Sequence, residues 1–532
     1  MPVTDPFAEG LARGWKTHDG SQLEQDITLE ADIAIVGSGA GGATSAEILS
    51  AAGFKVLLIE EGPLRSSRDF DMQEPAAYAS LYQEGIGRTS KDGAITILQG
   101  RAVGGSTLVN WTSSFRTPAL TLEHWAREHA VVGHSEAALA PWFDRVEQRL
   151  GIEPWTLAPN ANNQVIRDGC ERLGYSWGTI PRNVKGCWNL GYCGMGCPTN
   201  AKQSMLVTSI PAALDNGGEL LYLARAERLL IRNQRVTELE CLAMDARCVA
   251  PSGRRIRVRA RHYILAGGGI NTPAILLRSA VPDPHQRLGK RTFLHLVNFS
   301  AAQFDKVINP FYGAPQSVYS DQFQWNDGAT GRMSYKLEVP PIHPALAATL
   351  LGRFGRDNAL RMEQLPNTNA MLALMRDGFH PESAEGQVQL RGDGTPTLDY
   401  RMTAYTWDGI RRAYHSMAEV QFAAGARAVL PLHNDARYAS SLEDARRMID
   451  GLALEPFRAR LGSAHVMGGC AMGDDPRTAV TDSLGRHHQL ENLSIHDGSL
   501  FPTSIGANPQ LSVNALTAKL ASMLGDRLKL PT

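Results

Sequence analysis

The chain has 532 residues, of which 43% are apolar and 20% are charged, and its net charge is −1. This length predicts two or more domains, and the composition is typical of a soluble globular protein. The near-neutral charge gives no reason to expect binding to nucleic acid. The first twenty residues contain no apolar core of signal-peptide length, and no run approaches the ~18 apolar residues of a membrane span. We therefore expect a cytoplasmic protein without a transmembrane segment, with peripheral attachment to a membrane as an alternative.

The strongest local pattern is a strand, a glycine turn, a helix and a second strand over residues 31–63. It reads ADIAIVGSGAGGATSAEILSAAGFKVLLIEEGP. Gly37, Gly39 and Gly42 form a G-x-G-x-x-G turn, which lets a pyrophosphate approach the backbone at the start of the helix. Glu60 ends the second strand, where an acidic side chain takes a ribose hydroxyl. The pattern predicts a dinucleotide site and does not separate NAD from FAD.

A second glycine turn follows at residues 98–110, LQGRAVGGSTLVN. The backbone amides of Gly104, Gly105 and Ser106, followed by Asn110, could bind phosphate or lie against a flat ring. A purely structural loop explains this segment equally well when it is taken alone. Further on, residues 116–186 show apolar positions at helical spacing, as in TLEHWAREHAV and AALAPWFDRVEQRLG.

Three of the seven cysteines lie within eleven residues, in the segment GCWNLGYCGMGCPTN at 186–200. Cys187, Cys193 and Cys197 follow C-x5-C-x3-C-P, and the glycines between them would let three thiolates converge on an iron–sulfur cluster. Cys170 is the nearest candidate for a fourth ligand. Buried packing or a local thiol pair is the other main interpretation. Zinc is a third, although no C-x2-C pair or nearby histidine supports it.

The odd number of cysteines and the lack of an export signal argue against a disulfide framework. The isolated cysteines, Cys241, Cys248 and Cys470, are predicted to be structural.

The remaining segments add a third strand, glycine turn and helix, RHYILAGGGINTPAILLRS, at residues 261–279. Residues 296–440 mix strand-like runs, such as VQLRG and TPTLDYRM, with a long helix around DGIRRAYHSMAEVQFAAG. The apolar segment 339–355 predicts a packed core helix, or else a lid over an apolar substrate. Residues 369–379 allow the same two interpretations, and their alternation favours a core strand; the family resemblance described below would place that strand near the flavin.

Several of these motifs resemble the glucose–methanol–choline (GMC) family of FAD-dependent alcohol oxidoreductases. GRAVGGSTLVN is similar to its first signature, AGGGINTPAILL to its second, and HVMGGCAMG with NLSIHDGSLFPTSIGANPQLSVNALTAKLA to its closing motif. The similarity covers roughly residues 30–115, 187–280 and 460–525. It implies an α/β fold in which a Rossmann-like FAD-binding domain is interleaved with an α+β substrate domain built on an antiparallel sheet.

The implied domain boundaries divide the chain into five segments. Residues 25–115, 200–295 and 456–532 would form the FAD-binding domain. Residues 116–199, which include a lid over FAD, and residues 296–455 would form the substrate domain.

The resemblance also implies the catalytic residues. The family's base corresponds to His465, and its partner corresponds to Asn508. Histidine suits the role because its ordinary pKa of about 6.5 lets it accept a proton near neutral pH. An asparagine can hydrogen-bond the substrate oxygen but cannot take its proton, so proton uptake falls to His465.

Cofactor contacts are implied in the same closing motif. Asp497 and Gly498 would lie near the pyrophosphate or ribitol of FAD, and the backbone at Pro509 and Gln510 near the pyrimidine edge of the flavin. Some members of the family attach FAD through a histidine just before the asparagine of the first signature. Val109 occupies that position here, so we expect FAD to be bound non-covalently.

The predicted function is FAD-dependent oxidation of an alcohol to an aldehyde or ketone by hydride transfer to flavin N5. The sequence around the cysteines resembles the long-chain alcohol oxidase branch of the family, and it favours an apolar or long-chain alcohol as substrate. A sugar or polyol dehydrogenase that passes electrons through an iron–sulfur cluster to a cytochrome partner is the first alternative. A non-catalytic flavin-binding redox protein is the second. The electron acceptor, whether oxygen, a quinone or a cytochrome, is left open by the flavin motifs.

Overall fold

The computed structural model describes residues 3–529, which contain both helices and strands. The helices are α1 Pro6–Ala12, α2 Ala40–Ala51, α3 Glu74–Leu81, α4 Ala119–Glu128, α5 Glu136–Leu150, α6 Ala161–Leu173, α7 Ser209–Asp215, α8 Gly268–Arg278, α9 Pro344–Leu350, α10 Gly355–Glu363, α11 Ala404–Ala423, α12 Leu442–Gly451 and α13 Gln510–Lys529.

The strands of the first half are β1 Lys16–Asp19, β2 Ile27–Val36, β3 Val56–Ile59, β4 Ile95–Ile97, β5 Ile152–Pro154, β6 Gly178–Thr179, β7 Pro181–Asn183, β8 Glu219–Tyr222, β9 Ala224–Arg232, β10 Arg235–Met244 and β11 Pro251–Leu265. Those of the second half are β12 Thr292–Phe293, β13 Val297–Gln303, β14 Val318–Ser320, β15 Tyr335–Glu338, β16 Thr368–Met375, β17 Gly386–Leu390, β18 Pro396–Tyr400, β19 Ala428–Pro431, β20 Leu461–Ser463, β21 Met467–Gly468 and β22 Leu493–Ile495.

The first large sheet has the strand order β1-β8-β3-β2-β11-β10-β9, and β22 also pairs with β11. Strands β1, β8, β3, β2 and β11 run parallel to one another, as does β22, whereas β10 and β9 form an antiparallel extension. Strands β2 and β11 lie in the middle, and their carboxyl-terminal ends are buried. This arrangement places the first and third predicted glycine turns side by side, because each follows one of these two central strands.

Strand β11 runs from a part of this sheet with one solvent-exposed face into a part that is buried on both faces. Burial alternates near its middle, where Ile256 and Val258 are buried and Arg257 between them is exposed. Its last residues, Tyr263–Leu265, are all buried between β2 and β22. Alternation is typical of a sheet with one solvated face, and a continuous apolar run is typical of a parallel strand covered on both faces.

The second large sheet is mostly antiparallel and has the order β4-β20-β13-β16-β15-β14-β6, with β19 also pairing with β13. A smaller sheet has the order β18-β17-β12-β21, and β5 pairs with β7. The predicted fold class is thereby confirmed, since a Rossmann-like sheet and an antiparallel sheet are both present and are interleaved along the chain. The domain boundaries stay a prediction; β4 and β20 belong to the antiparallel sheet although both lie in segments assigned to the FAD-binding domain.

Most of the elements that the sequence predicts are present, including α2, α4, α5, α8, α11 and strands β17 and β18. Residues 369–379 begin in strand β16, as predicted. In the segment 339–355 the structure contains α9, but Ala347 is its one buried residue, so α9 is not a packed core helix. No residue of that segment lines the cavity described below, so the structure gives no support to a lid either. No helix among residues 3–529 is long and apolar enough to cross a membrane.

Candidate active site

A cavity of about 430 Å³ is lined by residues of both large sheets. Its walls include the glycine turns after β2 and β11, the 98–113 loop and the ends of β13 and β16. Of the residues predicted to bind a cofactor or act in catalysis, those lining it are Gly37, Gly39, Glu60, Gly105, Ser106, His465, Asp497, Gly498, Asn508, Asn110, Pro509 and Gln510. Gly42 and Gly104 lie behind this wall. The predicted residues named above thus line one cavity, and their functions in binding and catalysis stay a prediction.

Close packing explains the glycines of the first turn. Gly37 has φ +99°, and a Cβ there would lie 2.3 Å from the carbonyl oxygen of Ala266. A Cβ on Gly42 would lie 1.8 Å from the oxygen of Gly37. Side chains are thus excluded for steric reasons, and the backbone is left open toward the cavity.

Ser38 joins the first glycine turn to the second. Its hydroxyl donates to Glu60 Oε2 at 2.6 Å and accepts from the backbone N–H of Gly104 at 2.9 Å. The other carboxylate oxygen of Glu60 accepts from the N–H of Gly62 at 2.9 Å. Burial raises the pKa of Glu60, although these hydrogen bonds oppose the rise. Glu60 therefore braces both turns in addition to lining the cavity.

Asp497 has a similar structural function at the third glycine turn. Its carboxylate accepts from the N–H of Gly268 at 2.8 Å and from the hydroxyl of Thr272 at 2.6 Å, both at the start of α8. The other oxygen accepts from the N–H of Ser499 at 2.8 Å. Burial raises the pKa of this carboxyl group as well. Its oxygens are engaged by protein, so a ligand would meet the backbone of 497–498 more readily than this side chain.

Unpartnered buried atoms test whether the cavity suits a large polar cofactor. Asn110 Nδ2 donates to Gln510 Oε1, which leaves Asn110 Oδ1 and Gln510 Nε2 without partners among the described residues. Asn508 Oδ1 and Arg101 Nε are also buried and unpartnered there, and all four residues line the cavity. Such atoms cost free energy unless a ligand satisfies them. Two of these atoms are amide oxygens that accept, and the other two are an amide and a guanidinium nitrogen that donate. Acceptors and donors together fit a dinucleotide with a heteroaromatic ring, so the residues present suit FAD.

Two histidines are brought together by strand pairing. Strands β13 and β20 are antiparallel, with Val297 opposite Gly462 and Asn298 opposite Leu461. If this register continues beyond the strand ends, His295 lies opposite position 464, next to His465. The two Nδ1 atoms lie 3.1 Å apart, and the rings are stacked with centroids 5.2 Å apart.

Both histidines are held neutral by their surroundings. His465 is partly exposed, and it lines the cavity. Burial, and secondly the charge of Lys336, lower its pKa to about 4. Burial, His465 and Lys336 together lower the pKa of His295 well below its ordinary value. At neutral pH, His465 therefore has a free lone pair and can accept a proton.

Asn508 is held by a buried ion pair on β15. Its Nδ2 donates to Glu338 Oε2 at 3.2 Å, and Gln316 Nε2 donates to the same oxygen at 2.7 Å. Lys336 Nζ lies 3.4 Å from Glu338 Oε1 and faces the ring of Phe115. Burial lowers the pKa of Lys336 to about 8 and raises that of Glu338, while their mutual attraction opposes both shifts.

The cysteine segment lies directly behind the cavity wall. Lys202 Nζ donates to the carbonyl oxygens of Cys193 at 2.7 Å and Asn110 at 3.0 Å, and Tyr82 donates to the oxygen of Gly194 at 2.7 Å. Arg182 Nη2 lies 3.9 Å from Cys193 Sγ. These contacts tie the segment to the loop that contains Asn110.

The structure does not support the iron–sulfur interpretation of Cys187, Cys193 and Cys197. Among residues 3–529, no three His, Cys, Asp or Glu side chains come together in a group that could hold a metal ion. The same finding leaves zinc without support. All seven cysteines are free thiols, and Cys170, Cys241, Cys248 and Cys470 are buried. Cys170 is in α6, away from the segment's hydrogen bonds.

Sequence reasoning missed His295, Lys336 and Glu338. None of the three belongs to a motif. His295 approaches His465 through the pairing of β13 with β20, and Glu338 contacts Asn508, which lies 170 positions away in the chain. A single sequence carries no local signal for such pairing.

Comparison with known proteins agrees with this architecture. The N- and C-terminal profiles described as GMC oxidoreductase match residues 78–297 and 381–517. A long-chain-alcohol oxidase of Arabidopsis thaliana is 29% identical over 520 residues, which cover 94% of this chain and 68% of that protein.

Solved structures show the same fold at low sequence identity. Pyridoxine 4-oxidase from Mesorbium loti has a TM-score of 0.65 at 18% identity, covering 92% of this chain and 98% of the other. Formate oxidase from Aspergillus oryzae, in a structure that concerns FAD modification, has a TM-score of 0.68 at 14% identity, covering 95% and 99%.

The fold and the cavity together define a flavoprotein oxidoreductase. The chain belongs to the glucose–methanol–choline (GMC) oxidoreductase family, whose members bind FAD.

Proposed function

We propose that this protein oxidises the CH–OH group of an alcohol to a carbonyl group. His465 Nε2 takes the hydroxyl proton, and Asn508 binds the hydroxyl oxygen. Bound FAD supplies the acceptor for the hydride that leaves the carbon. The observation that carries the proposal is the state of His465: its Nδ1 is engaged by His295, so Nε2 is the nitrogen left for a ligand in the cavity.

The side chains beside this point favour an apolar substrate. Val297, Leu372 and Leu374 form one buried cluster with Phe299, and the first three line the cavity. Burying an alkyl chain against them stabilises binding by about 0.8 kcal/mol per methylene group. The resemblance to long-chain-alcohol oxidases points in the same direction. We therefore propose a long-chain or otherwise apolar alcohol as substrate and oxygen as electron acceptor.

FAD is held without a covalent bond in this proposal. Val109 occupies the position that would have to be histidine for attachment, and its side chain is buried in the cavity wall. The candidate contacts are the backbone around Gly37, Gly39 and Gly105, together with Asn110 and Gln510.

The experiment compares the wild type with His465→Ala and with His285→Ala, an exposed histidine outside the cavity. FAD content is measured first, after release by SDS, which should free all the flavin. Each protein is then mixed anaerobically with short and long primary alcohols and with a polyol, and bleaching of the flavin is followed. Peroxide is measured in air.

We expect bleaching by the longer alcohols, and peroxide in air. The His465→Ala variant should keep FAD but reduce it roughly 10²–10⁴-fold more slowly, whereas His285→Ala should behave as wild type. Reduction of His465→Ala at the wild-type rate would remove His465 from its role. Bleaching by the polyol alone would favour the sugar-type alternative.

A further inference from the structure

We infer that His295 is a positioning residue for His465. It accepts the Nδ1–H of His465 while His465 carries the substrate proton, and it thereby directs proton uptake to Nε2. This inference deepens the proposed function and rests on it for its meaning in the reaction.

The distance between the two rings requires one donor and one acceptor. At 3.1 Å between Nδ1 atoms, one nitrogen must carry a hydrogen and the other a lone pair. When His465 is protonated, both of its nitrogens carry hydrogen. His295 must then be the acceptor, so its own hydrogen is on Nε2. The proton taken from the substrate therefore stays on His465 Nε2, while the Nδ1–H of His465 donates to His295. No further proton has to leave the pair.

The backbone of both histidines is fixed from two sides. Asp377 accepts the N–H of Leu294 at 2.9 Å and that of His295 at 3.0 Å. The Ser463 hydroxyl donates to the carbonyl of Leu294 and accepts the N–H of His465 at 3.2 Å. His295 itself has φ +47°, a left-handed conformation that non-glycine residues rarely adopt. An unfavourable conformation held by this many contacts is typical of a residue whose direction matters.

The charged groups around the pair keep His295 an acceptor. His295 is 1% exposed, and burial, His465 and Lys336 hold its pKa well below the ordinary value. Asp377 binds the backbone beside His295, and Lys336 is the cation whose charge acts on both rings. An acceptor beside His465 favours its protonated form, and so opposes the lowering of its pKa by burial and by Lys336.

Two variants test this arrangement. His295→Phe keeps a flat ring but removes the acceptor, while His295→Gln offers an amide oxygen in its place. The control is His433→Gln, a buried histidine that bonds the Ala453 carbonyl outside the cavity. The FAD-loaded proteins are compared in two measurements: deuterium exchange at the imidazole C2 of His465, read by mass spectrometry over a range of pH, and anaerobic flavin reduction by a long-chain alcohol.

In His295→Phe we expect the pKa of His465 to fall further and the limiting reduction rate to fall roughly tenfold or more. Half-saturation by the alcohol and FAD content should change little. His295→Gln should recover part of both losses, and the control should match wild type. An unchanged pKa and rate in His295→Phe would overturn the inference, as would a loss shared equally by the control.

The exchange measurement separates this inference from the proposed function. It requires no turnover, so it reports on the contact between the histidines even if no alcohol reduces the flavin. If His295→Phe does not fold, His295→Gln carries the test. A His465 pKa in His295→Gln that stays close to the wild-type value, or falls only in part, is the result expected of an acceptor. A fall accompanied by the full, roughly tenfold loss of reduction rate would overturn the inference.

Discussion

The ion pair of Lys336 and Glu338 shows how residues outside every motif act on both predicted catalytic residues. Both side chains are almost fully buried, and Glu338 binds Asn508 while Lys336 lowers the pKa of His465. Burying two charges costs free energy that their attraction only partly returns. The pair therefore holds Asn508 in place at a cost in stability. Because Lys336 also lowers the pKa of His465, the pair helps to set the proton affinity of the site.

A double-mutant cycle on this pair should be strongly non-additive. Glu338→Gln leaves Lys336 buried without a counter-ion and should lower the free energy of unfolding by about 3–5 kcal/mol. Combining it with Lys336→Met removes both charges, and should recover most of that loss. In the double variant the pKa of His465 should also rise above about 4, because the nearby cation is gone. Urea unfolding of the FAD-loaded proteins measures the stabilities, and a double variant no more stable than Glu338→Gln would contradict this account.

Site residues that the local backbone conformation requires could be predicted from the sequence. Site residues that long-range pairing brings into place could not. Gly37 and Gly42 are required by the turn in which they lie, so their spacing is visible in a short window. His295 is 170 positions from His465 and reaches it because β13 pairs with β20. His465 and Asn508 were found through resemblance; their chemistry in this site is a proposal that the experiments above test.

Helix α2 illustrates the same contrast for a whole element. It begins without a side-chain cap, and its first turn is closed by glycines pressed against other backbone. A Cβ at Gly41 would lie 1.7 Å from the carbonyl oxygen of His496, which precedes Asp497 in the third part of the FAD-binding segments. The start of α2 thus packs against the backbone of a segment that lies more than 450 positions further along the chain. The strand–turn–helix pattern could nevertheless be predicted, because Gly37, Gly39 and Gly42 lie within six residues of one another.

Substitution of Gly42 should therefore damage both stability and cofactor binding. In Gly42→Ala the new methyl group meets the oxygen of Gly37 at 1.8 Å, so the turn must shift. Overpacking of this kind typically costs about 1–3 kcal/mol, and the shifted turn should bind FAD more weakly. The matched control is Gly451→Ala at the end of α12, where nothing lies within 4 Å of an added Cβ. FAD content and thermal melting measure both effects; equal FAD content in the two variants would count against the steric explanation.

Elements beyond the motifs were predicted less well, and α9 is the clearest case. Its apolar composition favoured a core helix, yet the helix lies on the surface with Ala347 inward. Its first turn is capped by Glu74, which accepts from the N–H groups of Ala345 at 2.6 Å and Leu346 at 3.0 Å. A cap supplied from a helix about 270 positions earlier leaves no trace in the local pattern.

At the scale of the molecule, stability should fall steeply on mild acidification. Burial is the first cause of pKa values lowered to about 3 or about 4 in six histidines, which are His124, His129, His134, His465, His487 and His496. Their folded-state pKa lies below the unfolded value of about 6.5, so the unfolded chain binds protons first as the pH falls. A fully buried histidine such as His496 then removes about 1.4 kcal/mol per pH unit.

Four buried carboxyl groups act in the opposite direction. Burial raises the pKa of Glu60, Glu338, Asp377 and Asp497, so each takes up its proton more readily in the folded state. The histidines outnumber them, and we expect the melting temperature to fall between pH 6.5 and about 4. Near-UV circular dichroism of the FAD-loaded protein measures it. The decline should persist at high salt because desolvation is not screened; a melting temperature that rises over this interval would contradict the prediction.

The interleaving of the two large sheets has a consequence for how the protein is made. The first glycine turn is made before the wall opposite it, which contains His465 and Asn508. At ~5–20 residues per second, the nascent chain carries an unfinished cavity for some tens of seconds. Capture of FAD must therefore wait until the segments that contain His465 and Asn508 have been made, and the incomplete sheet has to be kept from pairing with other strands until then.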